Sequence, residues 1–160
     1  MKGVDIFRAG LQDISDLRKI EIACELSPWT VTGYESELLR PDSAAFIAAK
    51  ANRELVGFII GRIPQASGGA AEIYNIGILP NFRRQGIGKV LLTEFVDTCL
   101  GVGVPEVWLE ARISNHEAIK FYQLNGFETN GTRPNFYQNP REDAQLMTLK
   151  LVHGQPLTKS

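Results

Sequence analysis

Cysteine and histidine are scarce in this sequence, with two of each among 160 residues. Cys24 and Cys99 stand far apart and outside any C-x-x-C spacing, and neither His116 nor His153 sits in a ligand-type spacing. A disulfide framework and a metal site are therefore not expected. Long apolar runs are missing too. "LVGFIIG" is far shorter than the ~20 residues that span a bilayer, and "MKGVDIFRAG" has no signal-type apolar stretch, so the chain is read as cytoplasmic, without a membrane partner. An excess of either charge is also absent. A net charge of -1 and a pI near 6.1 provide no general field for nucleic acid, so any basic site must be local. Repeats and low-complexity segments are lacking as well. What remains, 44% hydrophobic and 22% charged residues, suffices for one packed core at this length.

The apolar spacing outlines that core. Val4 to Gly10 reads as a strand, and a helix follows from Asp13, a candidate cap, through Ile14, Leu17 and Ile20 to Cys24. A second helical piece is expected from about Thr30 to Leu39, after the "SPWT" turn. "AAFIAAKANRELVGFIIGRI" reads as a hairpin turning at Ala51 to Glu54, and "PQASGGA" as a connector. Then come the strand "AEIYNIGILP", the helix "GKVLLTEFVDTCLGVG" ended by Gly101 and Gly103, and the strand "VPEVWLEAR". The helix "SNHEAIKFYQLNGF" has a Ser114-x-x-Glu117 capping box and a closing Gly126. This alternation implies a parallel strand pair. "FETNGTRPNFYQNPRED" is expected to be a strand broken by a polar loop, and "AQLMTLKLV" a final strand. One α/β domain over residues 1–152, a mixed sheet with helices on both faces, and a frayed tail over 153–160 complete the expectation.

The most suggestive local stretch is "PNFRRQGIGKV". A strand end, a glycine turn and a helix start bring free backbone N–H groups and the positive end of the helix dipole together, which suits phosphate. An ordinary glycine turn with solvated arginines fits the local pattern equally well. A Walker A loop is excluded because Lys89 is followed by Val90, and a Rossmann fingerprint because Leu91 stands where a third glycine is needed. Glu110 in "VWLEAR" lies near a strand's C-terminal end, where ligands enter such sheets, but a salt bridge to Arg112 two residues on explains it as simply. Tyr122 shares a helix stripe with Ala118 and Ile119 and reads from periodicity as a core tyrosine.

Arg83, Arg84, Gln85, Gly86, Ile87 and Gly88 match the R/Q-x-x-G-x-G/A signature of the GNAT acyltransferase superfamily. With Pro28 and Trp29, "YNIGILP", "WLEARISNHEAIKFYQLNGF" and "RPNFYQNPREDAQLMTL" in matching order, nearly the whole chain resembles the RimI-type ribosomal-protein-alanine N-acetyltransferases. The resemblance implies a GNAT-like fold whose central sheet splays to admit acetyl-CoA. It implies pyrophosphate on the backbone of Arg84, Gln85, Gly86, Ile87, Gly88 and Lys89, pantetheine along Ile76, Gly77 and Ile78, and a further contact from Asn115. Glu110 would then be the catalytic base and Tyr122 the acid, with an oxyanion donor near Gly77 or Ile78. Glu72 is a rival base, although its position four residues before Ile76 also suits a solvent-facing side chain.

By the same resemblance the acceptor is a peptide or protein N-terminus, that of a ribosomal protein in the RimI type, bound by Trp29, Arg133 and Tyr137. Phe136 replaces a common tyrosine and Gly77 a common alanine. An energetic argument agrees: an α-amine has a pKa near 8 and lysine near 10.4, so deprotonating lysine at neutral pH costs about 3 kcal/mol more. The rival readings are a GNAT enzyme acting on lysine or a small amine, and a catalytically silent acyl-CoA-binding module.

Overall fold

The computed structural model describes residues 3–26, 29–40, 47–64 and 68–152. In chain order the elements are β1 (Val4–Arg8), α1 (Ile14–Ala23), α2 (Val31–Leu38), β2 (Ile47–Ala51), β3 (Glu54–Arg62), β4 (Ala71–Ile78), α3 (Ile87–Val102), β5 (Glu106–Arg112), α4 (His116–Leu124), β6 (Glu128–Tyr137) and β7 (Glu142–Lys150). The strands form one seven-stranded sheet in the order β1-β2-β3-β4-β5-β7-β6. Its neighbours are antiparallel except β4 and β5, which run parallel as the strand-helix-strand pattern requires. Pro28, the "SPWT" turn's Ser27, the first residues of the expected hairpin, part of "PQASGGA" and the tail 153–160 lie outside the described residues.

Strand alternation feeds two cores. In β3, Val56 and Ile59 point to the side covered by α3 and α4, where Leu91, Phe95, Leu109 and Met147 are packed. Leu55, Phe58 and Ile60 point to the other side, against Leu17 and Ile20 of α1 and Tyr34 of α2. Helices thus cover both faces. On the α1 side the packing includes buried polar groups: Tyr34 donates to the Glu21 carboxylate, and the Glu37 carboxylate pairs with Arg62.

The feature that makes the site is a bulge. Ile60 pairs with Asn75 but Gly61 with Ile73, so Tyr74 is the extra residue of β4. Such an insertion bends and twists its strand. The bend falls immediately after Ile73, the last β4 residue paired with β5, opposite Leu109. Beyond it the two parallel strands part. Gly61 is required there, because a Cβ would press on the Glu72 carbonyl oxygen and come within 2.6 Å of Phe95 Cε2.

Several expected boundaries shift. Residues 128–137 form a continuous strand, β6, where a broken strand and polar loop were expected; register shifts at Thr129/Thr132 and Arg133/Tyr137 let the ladder with β7 absorb Gly131 and Pro134. The α4 cap is Asn115, whose Oδ1 accepts from Ala118 N at 3.2 Å, and Ser114 stands one residue too early for its expected capping box. Asp13 stands at the α1 N-cap as expected, but its side chain makes no capping hydrogen bond to the helix. Its carboxylate accepts from Gly10 N at 2.9 Å and holds the preceding 3-10 turn. Gly103, at φ 85, ends α3 in the left-handed conformation, while Gly101 is still helical.

Candidate active site

The glycine loop leads into α3 as the sequence suggests. Gly86 takes φ 82 at the N-cap and no side chain caps the helix, so the N–H groups of its first turn have no intrahelical acceptor. No acidic residue occupies that turn, which leaves the positive end of the dipole uncompensated. Ile87 is buried, so it can offer a ligand only its backbone. Gln85 turns back to donate to Asn81 O at 3.2 Å, and Arg84 is exposed 3.8 Å from Glu117, a pair too solvated to immobilise it. These features fit a phosphate group.

The strand edge over Ile76, Gly77 and Ile78 is open as well. Leu79 N donates to Val56 O at 2.8 Å, so alternation along the antiparallel ladder turns the N–H and C=O groups of Ile78 and Ile76 away from β3 and those of Gly77 toward it. Ile78 O accordingly accepts from Cys24 Sγ at 3.2 Å and Arg83 Nε at 3.0 Å. With β5 gone, this edge has backbone groups ready for an amide-bearing chain. On the α1 face of the strand a Cβ at Gly77 would lie 3.1 Å from Leu26 Cδ1 and 3.2 Å from Ile20 Cγ2, so a methyl there would need those side chains to shift by a few tenths of an ångström.

The gap between the strands is a cleft of about 300 Å³. Trp29, Glu72, Tyr74, Ile76, Glu110, Asn115, Tyr122, Phe136 and Tyr137 all line it. Six residues selected from the sequence, Trp29, Ile76, Glu110, Asn115, Tyr122 and Tyr137, are thus brought together, and Arg133 reaches in to Glu110. The lining comes from both faces of the sheet. Tyr122 and Ala118 belong to the α3/α4 side, and Trp29 and Tyr74 to the α1/α2 side. Glu110 alternates with the buried Leu109 and Ala111 and so shares the second face.

Glu110 is not paired with Arg112. Its Oε1 lies 2.9 Å from Arg133 Nη1, off the line of a hydrogen bond, and accepts no other; the side chain is 8% exposed. Burial pushes its carboxyl up from the usual range and the Arg133 charge pulls it partly back. Arg112 turns instead to Glu142 at 3.2 Å and to the carbonyl oxygens of Gln138 and Pro140. It also stacks 4.4 Å from the centre of Tyr137. Tyr137 in turn donates to the Glu110 backbone oxygen at 3.1 Å, and burial pushes its phenol up to about 12. Tyr122 is buried, with its phenol raised by desolvation, and therefore protonated at neutral pH.

Glu72 does not face open solvent. It lines the cleft beside Glu110, and burial followed by the Glu110 charge raises its carboxyl. Tyr74 was not singled out from the sequence; it packs 6.0 Å from Trp29 and is pushed up to about 12 by burial. His116 is exposed, and no group of three or more metal-ligating side chains occurs among the described residues. No helix among those residues is long and apolar enough to cross a membrane.

The likenesses to known proteins agree with this geometry. The chain is 34% identical over 143 residues to a [ribosomal protein bS18]-alanine N-acetyltransferase of Haemophilus ducreyi, covering 88% of this chain and 95% of that one. The crystal structure of the ribosomal-protein-S18-alanine N-acetyltransferase from Escherichia coli superposes with a TM-score of 0.83 at 27% identity, over 98% of this chain and 99% of the other. Arabidopsis thaliana Naa50, solved with the bisubstrate analogue CoA-Ac-MVNAL, gives 0.81 at 25% identity, over 93% and 99%. The splayed sheet, the glycine loop and the match of residues 14–127 to the Acetyltransferase (GNAT) family model converge, and the chain belongs to that acetyltransferase family.

Proposed function

We propose that this protein transfers acetyl from acetyl-CoA to the N-terminal α-amine of a protein by direct attack in a ternary complex. Glu110 acts as base and Tyr122 as acid. The observation that carries the reading is the cleft through the sheet, to which one face contributes Glu110 and the other Tyr122, beside an open strand edge and a helix N-terminus. Acetyl-CoA supplies the thioester when bound. The first turn of α3 holds its pyrophosphate, the outward amide groups of Ile76 pair with its pantetheine amides, and the outward Ile78 N–H serves the oxyanion.

Glu110 takes one proton from the acceptor ammonium through water and passes it to solvent. The nitrogen bonds to the acetyl carbon as the C–S bond breaks. Tyr122 gives its proton to the departing sulfur, and the second nitrogen proton restores the phenol. A phenol is a weaker acid than a thiol, but the desolvation that raises Tyr122 also raises the basicity of a thiolate formed beside it. No covalent enzyme intermediate enters: Cys99 is buried, its thiol pushed up to about 12, and Cys24 Sγ is engaged with Ile78 O.

Arg133, Tyr137 and Trp29 form the acceptor wall, with Phe136 beside Tyr137, ring centres 5.0 Å apart. Relatives named [ribosomal protein bS18]-alanine N-acetyltransferase support an alanine-starting ribosomal protein as the acceptor, and the same reading puts the reaction in the cytoplasm. The test offers acetyl-CoA with peptides starting Ala, Ser, Met or Gly, internal-lysine peptides and small amines, read by mass spectrometry. Acetylation at the α-amine of the alanine peptide is expected. Acetylation confined to lysine or small amines rejects the reading.

A further inference from the structure

The cleft is short of positive charge. Glu25, Glu72 and Glu110 line it against one arginine, Arg112, and that arginine is committed to Glu142 and two carbonyl oxygens. Arg62, which acts on Glu72, is paired with Glu37. Arg133 remains, and it meets Glu110 Oε1 at 2.9 Å without an aligned hydrogen bond. A carboxylate oxygen in a side chain 8% exposed is thus left with Coulombic attraction alone.

Glu72 and Glu110 point the same way. Glu72 stands opposite Trp108 in the parallel register, and Glu110 is two residues further along β5, on the face of Trp108. Glu72 is hydrogen-bonded by the Tyr74 hydroxyl and feels the Arg62 charge, whereas Glu110 Oε1 has only the misaligned Arg133, so the two partly desolvated carboxylates on one face still gain from a further cation. Trp29 and Tyr74 on one side and Phe136 and Tyr137 on the other wall the space with aromatic rings, which favour a cation over a neutral group. A compact ammonium, with three donors that can be shared between two carboxylates, suits the space better than a second planar guanidinium.

We propose that Glu72 and Glu110 together form a receptor for the charged ammonium of the acceptor, which is captured as R–NH₃⁺ before Glu110 removes its proton. Glu72 is then a substrate-binding residue, and the site selects for a cationic amine over a neutral isostere of the same size. This rests on the amine-acetylating reading given above.

The test measures binding, with CoA in place of acetyl-CoA so that nothing turns over. Calorimetry compares an alanine-starting peptide with the same peptide starting in lactate, where a hydroxyl replaces the ammonium. The wild-type complex is expected to prefer the ammonium peptide by tenfold or more. Glu72→Gln is expected to cut that preference to about threefold or less while leaving CoA affinity unchanged, and Glu72→Asp, which keeps the charge, to retain most of it. An unchanged preference in Glu72→Gln, an equal loss for both peptides, or no preference in the wild type overturns the proposal. Because no acetylation is read, a failure of the N-terminal reading in the peptide panel is distinguishable from a failure here.

Discussion

Replacing Gly61 by alanine probes the bulge that opens the cleft. The added methyl would come within 2.6 Å of Phe95 Cε2 and 2.8 Å of its Cζ, and closer still to the Glu72 carbonyl oxygen. A ring edge can tilt, but a carbonyl in the neighbouring strand moves only if the strand moves. Overpacking of this kind costs about 1–3 kcal/mol, and backbone involvement puts Gly61→Ala at the upper end. For a domain of this size each kcal/mol is worth roughly 2–4 °C, so about 3 kcal/mol lowers Tm by roughly 6–12 °C. The control is Gly101→Ala, where no atom lies within 4 Å of the new Cβ. There the gain in helix propensity, up to about 1 kcal/mol, should raise Tm by a few degrees. Thermal unfolding followed by circular dichroism checks both. The two variants should also diverge in activity, since Gly61→Ala displaces Glu72 and the bend after it, lowering kcat/KM for peptide, while Gly101→Ala leaves it unchanged. A Gly61→Ala protein that melts within about 2 °C of wild type with full activity would refute the claim that the close approach of β3 to β4 sets the gap.

Tyr122→Phe should lower kcat by about 10²-fold or more while acetyl-CoA affinity holds, and an unchanged kcat removes the acid role. Arg133→Ala should shift the acidic limb of the kcat/KM profile to higher pH. Arg133 lowers a Glu110 carboxyl that burial raises, and without it the base deprotonates later; a limb that stays or moves down contradicts the ion pair. Glu142→Gln should lower Tm at neutral pH, with the difference vanishing in acid. Hydrogen bonding to Ser114 holds the Glu142 carboxyl below its usual range, so its contribution is present above the ordinary carboxylate range and lost as pH falls through the depressed folded value.

Much of this architecture was legible because its central elements are long and strongly patterned. The stretch from Ala71 to Leu124 alternates between strand and helix periods with clear stops at Pro80, Gly103 and Gly126, and the parallel pair follows from it. Failure came where two local signals compete or where tertiary pairing overrides composition. Ser114 and Asn115 are both good caps, and only the geometry chooses Asn115. Residues 128–137 carry Gly, Pro and Asn, yet pairing with β7 holds them extended.

The solvent-facing alternative for Glu72 failed for a subtler reason. Strict two-residue alternation counted back from Ile76 puts Glu72 on the same face as Ile76. The extra residue at Tyr74 reverses the parity, and Glu72 turns to the face of Glu110. A bulge leaves no reliable mark in one sequence, although "GRI" facing "EIY", with a glycine against the irregular step, is its trace. The Glu110–Arg112 salt bridge failed because sequence proximity hides the competitor: Glu142, thirty residues on, reaches Arg112 first.

The parting of β4 and β5 also has a consequence for traffic. Most clefts have one mouth, and whatever enters last must leave first. Here the opening is a window: Trp29 and Tyr74 stand on one sill, Ala118 and Tyr122 on the other. Two molecules can meet in the frame from opposite sides and each retreat the way it came. The enzyme then need not empty one side to refill the other, and inhibition by CoA should compete with acetyl-CoA while leaving the peptide's own doorway clear.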